Sequence, residues 1–236
     1  MYHGQVRRLQ PMLVSFSGLD GSGKTTQIAH AREVLVHRGR RVTILAFWDD
    51  AVVGKRYREE FVHRVYGSEK GVGSPEHPVE RQDKNVRAWY LTIARHALYL
   101  VDAVNLRRVI IRAWRHGADV VLMDRYVYDE LANLPLDNRL SQVFIHFVNW
   151  LVPRPDLALL LDADPEAARA RKPEYPLEFM RKCRRAYFRL SRILGNLRIV
   201  PPLPLTEARR EVEMELIRTI QSGPGDQPQL DFTPAA

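Results

Sequence analysis

Residues 18–26 read GLDGSGKTT, in which Gly18 is followed after four residues by Gly23, Lys24 and Thr25. Glycines allow the backbone to curl so that several N–H groups point at phosphate oxygens, and the helix that follows adds its positive N-terminus. This order predicts that Lys24 lies between the β- and γ-phosphates of ATP and that the Thr25 hydroxyl binds Mg²⁺. The predicted ATP-binding residues are Gly18, Asp20, Gly21, Ser22, Gly23, Lys24, Thr25 and Thr26.

A second polar group, the DRY sequence at 124–126, directly follows the apolar run at 119–123. Open α/β sheets bind their ligands at the carboxyl ends of the strands, and DRY stands at such an end. Asp124 can reach the metal ion there, usually through water, and is predicted with Thr25 as a metal-binding residue. Arg125 can stabilise charge on a transferring phosphoryl group by bidentate contact.

Short apolar runs alternate with longer helical patterns along the chain, which is the signature of a parallel sheet covered by helices. Strands are predicted at 12–17, 41–47, 119–123, 157–161 and 197–200. Helices are predicted at about 24–37, 83–116, 138–151 and 206–220, with a short helix after Asp164 and a basic helix around 181–192. The predicted fold class is therefore α/β, a three-layer sandwich with about five parallel strands.

One domain at 12–221 is expected, with residues 1–11 a flexible N-terminus and residues 222–236, rich in Pro, Gly and Gln, a disordered tail. Repeated Gly and Pro at 67–82 predict a mobile loop. No apolar run approaches the roughly 20 residues of a membrane-spanning helix, so no membrane association is expected. The single cysteine, Cys183, excludes an internal disulfide and fits a reduced, cytoplasmic compartment.

Basic residues outnumber acidic ones by 36 to 28, giving a formal net charge of +8. Such an excess suits an acidic partner, and nucleotides satisfy it more economically than nucleic acid. The densest basic cluster, at 181–192, is interleaved with apolar residues at helical spacing. We interpret it as the solvated face of an amphipathic helix, so a nucleic-acid partner is not expected.

Three motifs in this order, GLDGSGKTTQ from residue 18, DRY at 124–126 and LDADPEAARAR at 161–171, resemble the thymidylate kinase family. The resemblance implies a P-loop kinase fold and transfer of the ATP γ-phosphoryl group to a nucleoside monophosphate, with dTMP as the family default. It implies that Asp20 holds the acceptor sugar or orients the metal shell, and that Arg125 clamps the acceptor phosphate. It also implies that Arg171 opens the lid segment. With Lys24, these are the predicted catalytic residues.

The chain departs from the family pattern around the acceptor. Asp49 and Asp50 follow the second strand where the family carries a phosphate-binding arginine, and carboxylates there would repel a phosphate. We therefore expect weak use of dTMP. After DRY the family tends to show small residues, whereas this chain has Asp129, Glu130, Asn133 and Leu134. The predicted acceptor-binding residues are Asp20, Asp49, Arg95, His96, Arg125 and Tyr126.

Two alternatives stay open at this stage: a kinase of the same fold that acts on another small acceptor, and a nucleotide-binding protein with weak turnover. The family also implies a homodimer through the long helix, with Trp89, Leu98, Leu100 and Val104 as candidate contacts. Replacing Lys24 with alanine is expected to abolish transfer and to leave the fold intact, because the lysine is predicted on a solvated loop.

Overall fold

The computed structural model describes residues 10–54 and 89–222, and for residues 89–95 it describes the backbone alone. The predicted loop at 67–82 and the start of the predicted helix at 83 lie outside the described residues. So do most of the two predicted terminal segments, at 1–9 and 223–236.

The described residues form one sheet of five parallel strands, which confirms the predicted fold class. The strands are β1 (Met12–Gly18), β2 (Val42–Ala46), β3 (Val120–Asp124), β4 (Leu157–Leu161) and β5 (Leu197–Val200). Their order across the sheet is β2-β3-β1-β4-β5. Because β1 is central and all strands are parallel, the carboxyl ends of β1, β3 and β4 meet at one edge, where both predicted motifs begin.

Seven α-helices are described: α1 (Lys24–His37), α2 (Trp89–Arg115), α3 (Val127–Leu131), α4 (Arg139–Leu151), α5 (Pro165–Arg171), α6 (Leu177–Leu194) and α7 (Leu205–Ser222). Each predicted helix is found to within a few residues, apart from the undescribed start of α2. The sequence patterns missed α3 and a π-helix at Phe47–Ala51, each of five residues. Both are too short to show a full amphipathic period, and the π-helix ends β2 one residue before the prediction.

Side chains that alternate along the strands build a core on each face of the sheet. On one face, Val14 and Phe16 of β1 pack in a cluster with Ile28 of α1 and Leu216 of α7. On the other face, Leu13 belongs to a cluster that draws on α2, α3, α4 and α6. The result is the predicted three-layer sandwich. Among the described residues, no helix is long and apolar enough to cross a membrane.

Candidate active site

The glycine-rich segment after β1 forms a tight loop that rests on its neighbours. Gly18, Gly21 and Gly23 all have positive φ, at 141°, 81° and 88°. A Cβ atom on Gly18 would lie 2.4 Å from the Leu161 carbonyl oxygen, and one on Gly21 would lie 2.4 Å from that of Ala168. The loop is therefore seated against the end of β4 and against α5, which explains why glycine is needed at both places.

Lys24, the first residue of α1, is buried with only 7% of its surface exposed. Its Nζ donates to the carbonyl oxygens of Gly18, at 3.0 Å, and Leu19, at 2.6 Å. Burial, with a further effect from the nearby Arg125 charge, lowers the pKa of Lys24 to about 8. The expectation that this lysine stands on a solvated loop is therefore wrong, because the loop backbone encloses its ammonium group.

The hydroxyl-bearing residues Thr25 and Thr26 are exposed in the first turn of α1. Asp124 ends β3 at the same edge of the sheet, and the burial of its carboxyl group raises its pKa. The Lys24 charge is the largest influence that opposes this rise. The charges of Asp124 and Lys24 therefore influence one another, although 100 residues separate the two along the chain.

Arg125 has a left-handed backbone with φ of 66°, and it is the one non-glycine residue in the described part of the chain with positive φ. Its guanidinium lies between two carboxylates: Nη2 donates to Asp20 on the phosphate loop, and Nη1 donates to Asp129 of α3 at 2.8 Å. Burial alone would lower the pKa of Arg125, but Asp129, Tyr187 and Asp20 together raise it above its ordinary value. A strained backbone that aims a charged side chain is typical of functional sites.

Asp129 was not predicted as a site residue, although it lies four residues after Arg125 on α3. Its Oδ1 accepts hydrogen bonds from Arg125 and from the Tyr187 hydroxyl at 2.7 Å. Its Oδ2 accepts from the Ser17 hydroxyl at 2.7 Å and from the Tyr126 backbone N–H at 3.1 Å. The i, i+4 spacing to Arg125 was the available signal for one of these contacts. The contacts with Ser17 and Tyr187 depend on the tertiary fold.

Of the other predicted acceptor-binding residues, Tyr126 and His96 have side-chain contacts elsewhere in the described structure. The Tyr126 side chain is fully buried and its hydroxyl donates to the Pro153 carbonyl oxygen, so the prediction for Tyr126 is corrected. The His96 ring packs edge-on against Phe144 of α4, with centroids 4.4 Å apart, and so contributes to helix packing. The side chain of Arg95 lies outside the described residues.

Known proteins match most of the chain, although no protein-family model does. A probable thymidylate kinase of Archaeoglobus fulgidus is 30% identical over 184 residues, which are 75% of this chain and 80% of the relative. A probable thymidylate kinase of Pyrococcus abyssi is 30% identical over 216 residues, covering 87% and 95% of the two chains. The thymidylate kinase of Tropheryma whipplei is 32% identical over 191 residues, covering 76% and 81%. The chain belongs to the thymidylate kinase family.

The acidic pair that departs from the family pattern lies in the π-helix after β2. The Asp50 carboxylate accepts a hydrogen bond from the Ala46 backbone N–H at 2.7 Å, so its Oδ2 stabilises the start of that helix. Asp49 is exposed. Asn105 of α2 donates to the Ala51 carbonyl oxygen at 2.9 Å and holds the segment against the long helix.

The LDADPEAARAR motif spans the last residue of β4 and the whole of α5, and Arg171, where the predicted lid segment starts, is the last residue of α5. Asp164 caps this helix by accepting from the Ala167 N–H at 2.9 Å. Arg171 is exposed in the last turn, where its Nε donates to the Ala167 carbonyl oxygen at 3.2 Å. The backbone of α5 contacts the phosphate loop, since a Cβ atom on Gly21 would lie 2.4 Å from the Ala168 carbonyl oxygen.

Basic residues of α6 pair with carboxylates that follow β4, in α5, and in α6 itself. Arg184 donates to both oxygens of Asp162, at 2.7 and 2.6 Å. Arg181 pairs with Glu166 and Glu178. The basic cluster is therefore partly neutralised by ion pairs, in addition to lying on the solvated side of the helix.

Proposed function

We propose that this member of the thymidylate kinase family transfers the γ-phosphoryl group of ATP to dTMP, giving ADP and dTDP. The single observation that carries the proposal is the convergence of Lys24, Asp124 and Arg125 at one edge of the sheet, beside the glycine-rich loop. The names of the relatives support dTMP as the acceptor over another small compound.

The proposed roles of the residues follow from their charges and places. The loop glycines let backbone N–H groups approach the phosphates of ATP. Lys24 exchanges its contacts with two loop carbonyls for the β- and γ-phosphates, whose negative charge would favour the protonated form of a lysine whose pKa burial has lowered to about 8. Arg125 meets the transferring phosphoryl group and the acceptor phosphate, and Arg171 neutralises charge from the lid side.

The reaction needs no covalent intermediate with the protein. An oxygen of the acceptor phosphate forms the new P–O bond to the γ-phosphorus, and the bond to ADP breaks on the opposite side. Catalysis is then positioning and charge stabilisation, as for phosphoryl transfer in general. We propose that Asp20, on the loop beside Arg125, contacts the acceptor sugar or the metal shell, and that Asp49, on the segment after β2, contributes to the acceptor site.

A divalent metal ion fits the oxygen groups at this edge, and we propose Mg²⁺. Thr25 would supply its exposed hydroxyl, and Asp124 a carboxylate to which no side chain in the described part of the chain donates a hydrogen bond. Hard cations such as Mg²⁺ prefer such oxygens. When bound, the ion would neutralise charge on the β- and γ-phosphates.

A homodimer through α2 and α4 is also proposed. Apolar side chains are exposed along one stripe of α4 and on the adjoining α2, and Trp150 is 76% exposed. The exposed residues are Leu98, Val101 and Val104 of α2 and Leu140, Val143, Phe147 and Trp150 of α4. Of the predicted contacts, Leu98 and Val104 are in this patch, Leu100 packs against the core, and the Trp89 side chain is outside the described residues. A two-fold contact would bury the patch on both copies.

We place the enzyme in the cytoplasm, in agreement with its use of ATP and with the free thiol of Cys183. Nucleic acid is not a proposed partner.

The deciding experiment is an acceptor screen with ATP and Mg²⁺ that follows ADP release with each nucleoside monophosphate. We expect dTMP to give the highest kcat/KM. An Arg125→Ala variant should lose roughly 10²-fold or more in kcat while it still binds ATP. Release of ADP with another acceptor but not with dTMP would contradict the proposed substrate.

The proposed homodimer is tested by sedimentation. Trp150→Glu should shift the sedimentation mass from two copies to one.

A further inference from the structure

The guanidinium of Arg125 is held by two carboxylates that differ in how firmly the fold fixes them. Asp20 lies on the phosphate loop and its side chain is 24% exposed. The Asp129 side chain is 2% exposed. Asp129 also receives hydrogen bonds from Ser17 of β1, Tyr187 of α6 and the backbone of Tyr126. Its carboxylate thus has four donors, one for each site at which it can accept.

We propose that Asp129 is a positioning residue for phosphoryl transfer, which holds Nη1 of Arg125 so that Nη2 is presented to the phosphates. The proposal deepens the proposed function and rests on it. In this arrangement the arrival of a phosphate displaces Asp20 from Nη2, because both are anions that compete for the same N–H donors. Asp129 stays bound to Nη1.

Electrostatics explains why Asp129 is the carboxylate that stays. A carboxylate buried to this extent is costly to leave without its cation, whereas Asp20 can turn to water when Arg125 leaves it. The backbone of Arg125 has the strained left-handed conformation that is often kept at functional sites. Asp129 stands where the family tends to show small residues after DRY, and its specific partner is Arg125.

A purely structural role for Asp129 would be capping of α3, since its Oδ2 accepts from the Tyr126 N–H. The two roles are separated by a double-mutant cycle with Asp129→Asn, Arg125→Ala and the double variant, measured by kcat for ATP and dTMP. A positioning residue acts only through Arg125, so its loss should have no further effect once Arg125 is absent. A structural residue should lower kcat by the same factor in both backgrounds.

We expect Asp129→Asn to lower kcat by roughly 10²-fold and to change KM for ATP less than about threefold. In the Arg125→Ala background, the same change should lower kcat less than about threefold. The matched control is Glu215→Gln. Glu215 is also a buried carboxylate, which pairs with Arg218 and Arg198, and its helix α7 packs on the opposite face of the sheet from α3. Its variant should keep kcat. Equal losses in both backgrounds, or an unchanged kcat in Asp129→Asn, would overturn the proposal.

A second readout does not depend on turnover. NMR of the ¹⁵N-labelled arginine guanidinium groups should show slow rotation of the Arg125 group in the ADP complex of the unchanged protein, and fast rotation in Asp129→Asn. Fast rotation in both proteins would overturn the proposal. An unchanged protein that shows slow rotation but no ADP release with dTMP would instead count against the proposed function.

Should Asp129→Asn fail to fold, Tyr187→Phe removes one donor to Oδ1 and keeps the aromatic ring in the core. A fall in kcat that disappears in the Arg125→Ala background would support the proposal. An unchanged kcat in Tyr187→Phe would overturn it.

Discussion

Gly21 lies where the phosphate loop contacts α5, so the loss of stability caused by replacing it can be worked out from the structure. A Cβ atom there would lie 2.4 Å from the Ala168 carbonyl oxygen, about 1 Å inside the shortest ordinary contact of 3.4 Å. The phosphate loop and the Ala168 carbonyl group are both parts of the main chain, so neither can move away as a flexible side chain could. An alanine at φ of 81° costs about 1–2 kcal/mol in backbone strain, and the overlap adds about 1–3 kcal/mol.

Gly39→Ala is the matched control, because Gly39 has a similar φ of 73° and, apart from its two chain neighbours, no atom of the described residues lies within 4 Å of the place that a Cβ would occupy. We expect both variants to lose stability from strain, with Gly21→Ala losing about 1–3 kcal/mol more, or about 2–12 °C of further Tm. Thermal unfolding measures the difference. ATP binding should fall in Gly21→Ala alone, because a shift of about 1 Å misplaces the N–H groups that face phosphate.

The result that would refute this reasoning is a Gly21→Ala variant with the same Tm as Gly39→Ala and the ATP affinity of the unchanged protein. Such a result would mean that the loop and α5 are not in contact in solution.

The other predictions concern a lysine, an ion pair and the acidic segment. Lys24→Met should lower kcat by more than about 10²-fold, and a thermal scan of the variant checks that the loss is not unfolding. Hydrogen bonding to Arg41 lowers the pKa of Asp119 to about 2, so this pair stabilises the fold fully above the unfolded pKa of about 4 and is lost as the pH falls toward 2. Asp119→Asn should therefore lower Tm at pH 7 and have almost no effect near pH 2. Asp49→Asn should lower KM for dTMP by relieving repulsion, whereas an unchanged KM would show that this carboxylate points away from the acceptor.

The strands and the phosphate loop were predictable from the sequence because they depend on local patterns. The bounds of β4 and β5 agree with the prediction, since each is a short apolar run between turn signals. The order of glycines before Lys24 likewise encodes a loop and a helix start within nine residues. The family could be recognised from three such local motifs.

The surroundings of the site residues were decided by the tertiary structure. Lys24 is buried because the loop folds back over it, and Tyr126 points into the core although it adjoins Arg125. Asp129 obtains its partners Ser17 and Tyr187 from 112 and 58 residues away. Sequence alone determined which residue types reach the edge of the sheet, because parallel strands end there. Only the packing of α3 and α6 on that edge decided that Asp129 is the buried carboxylate beside Arg125, because burial and hydrogen-bond partners are properties of the assembled layers.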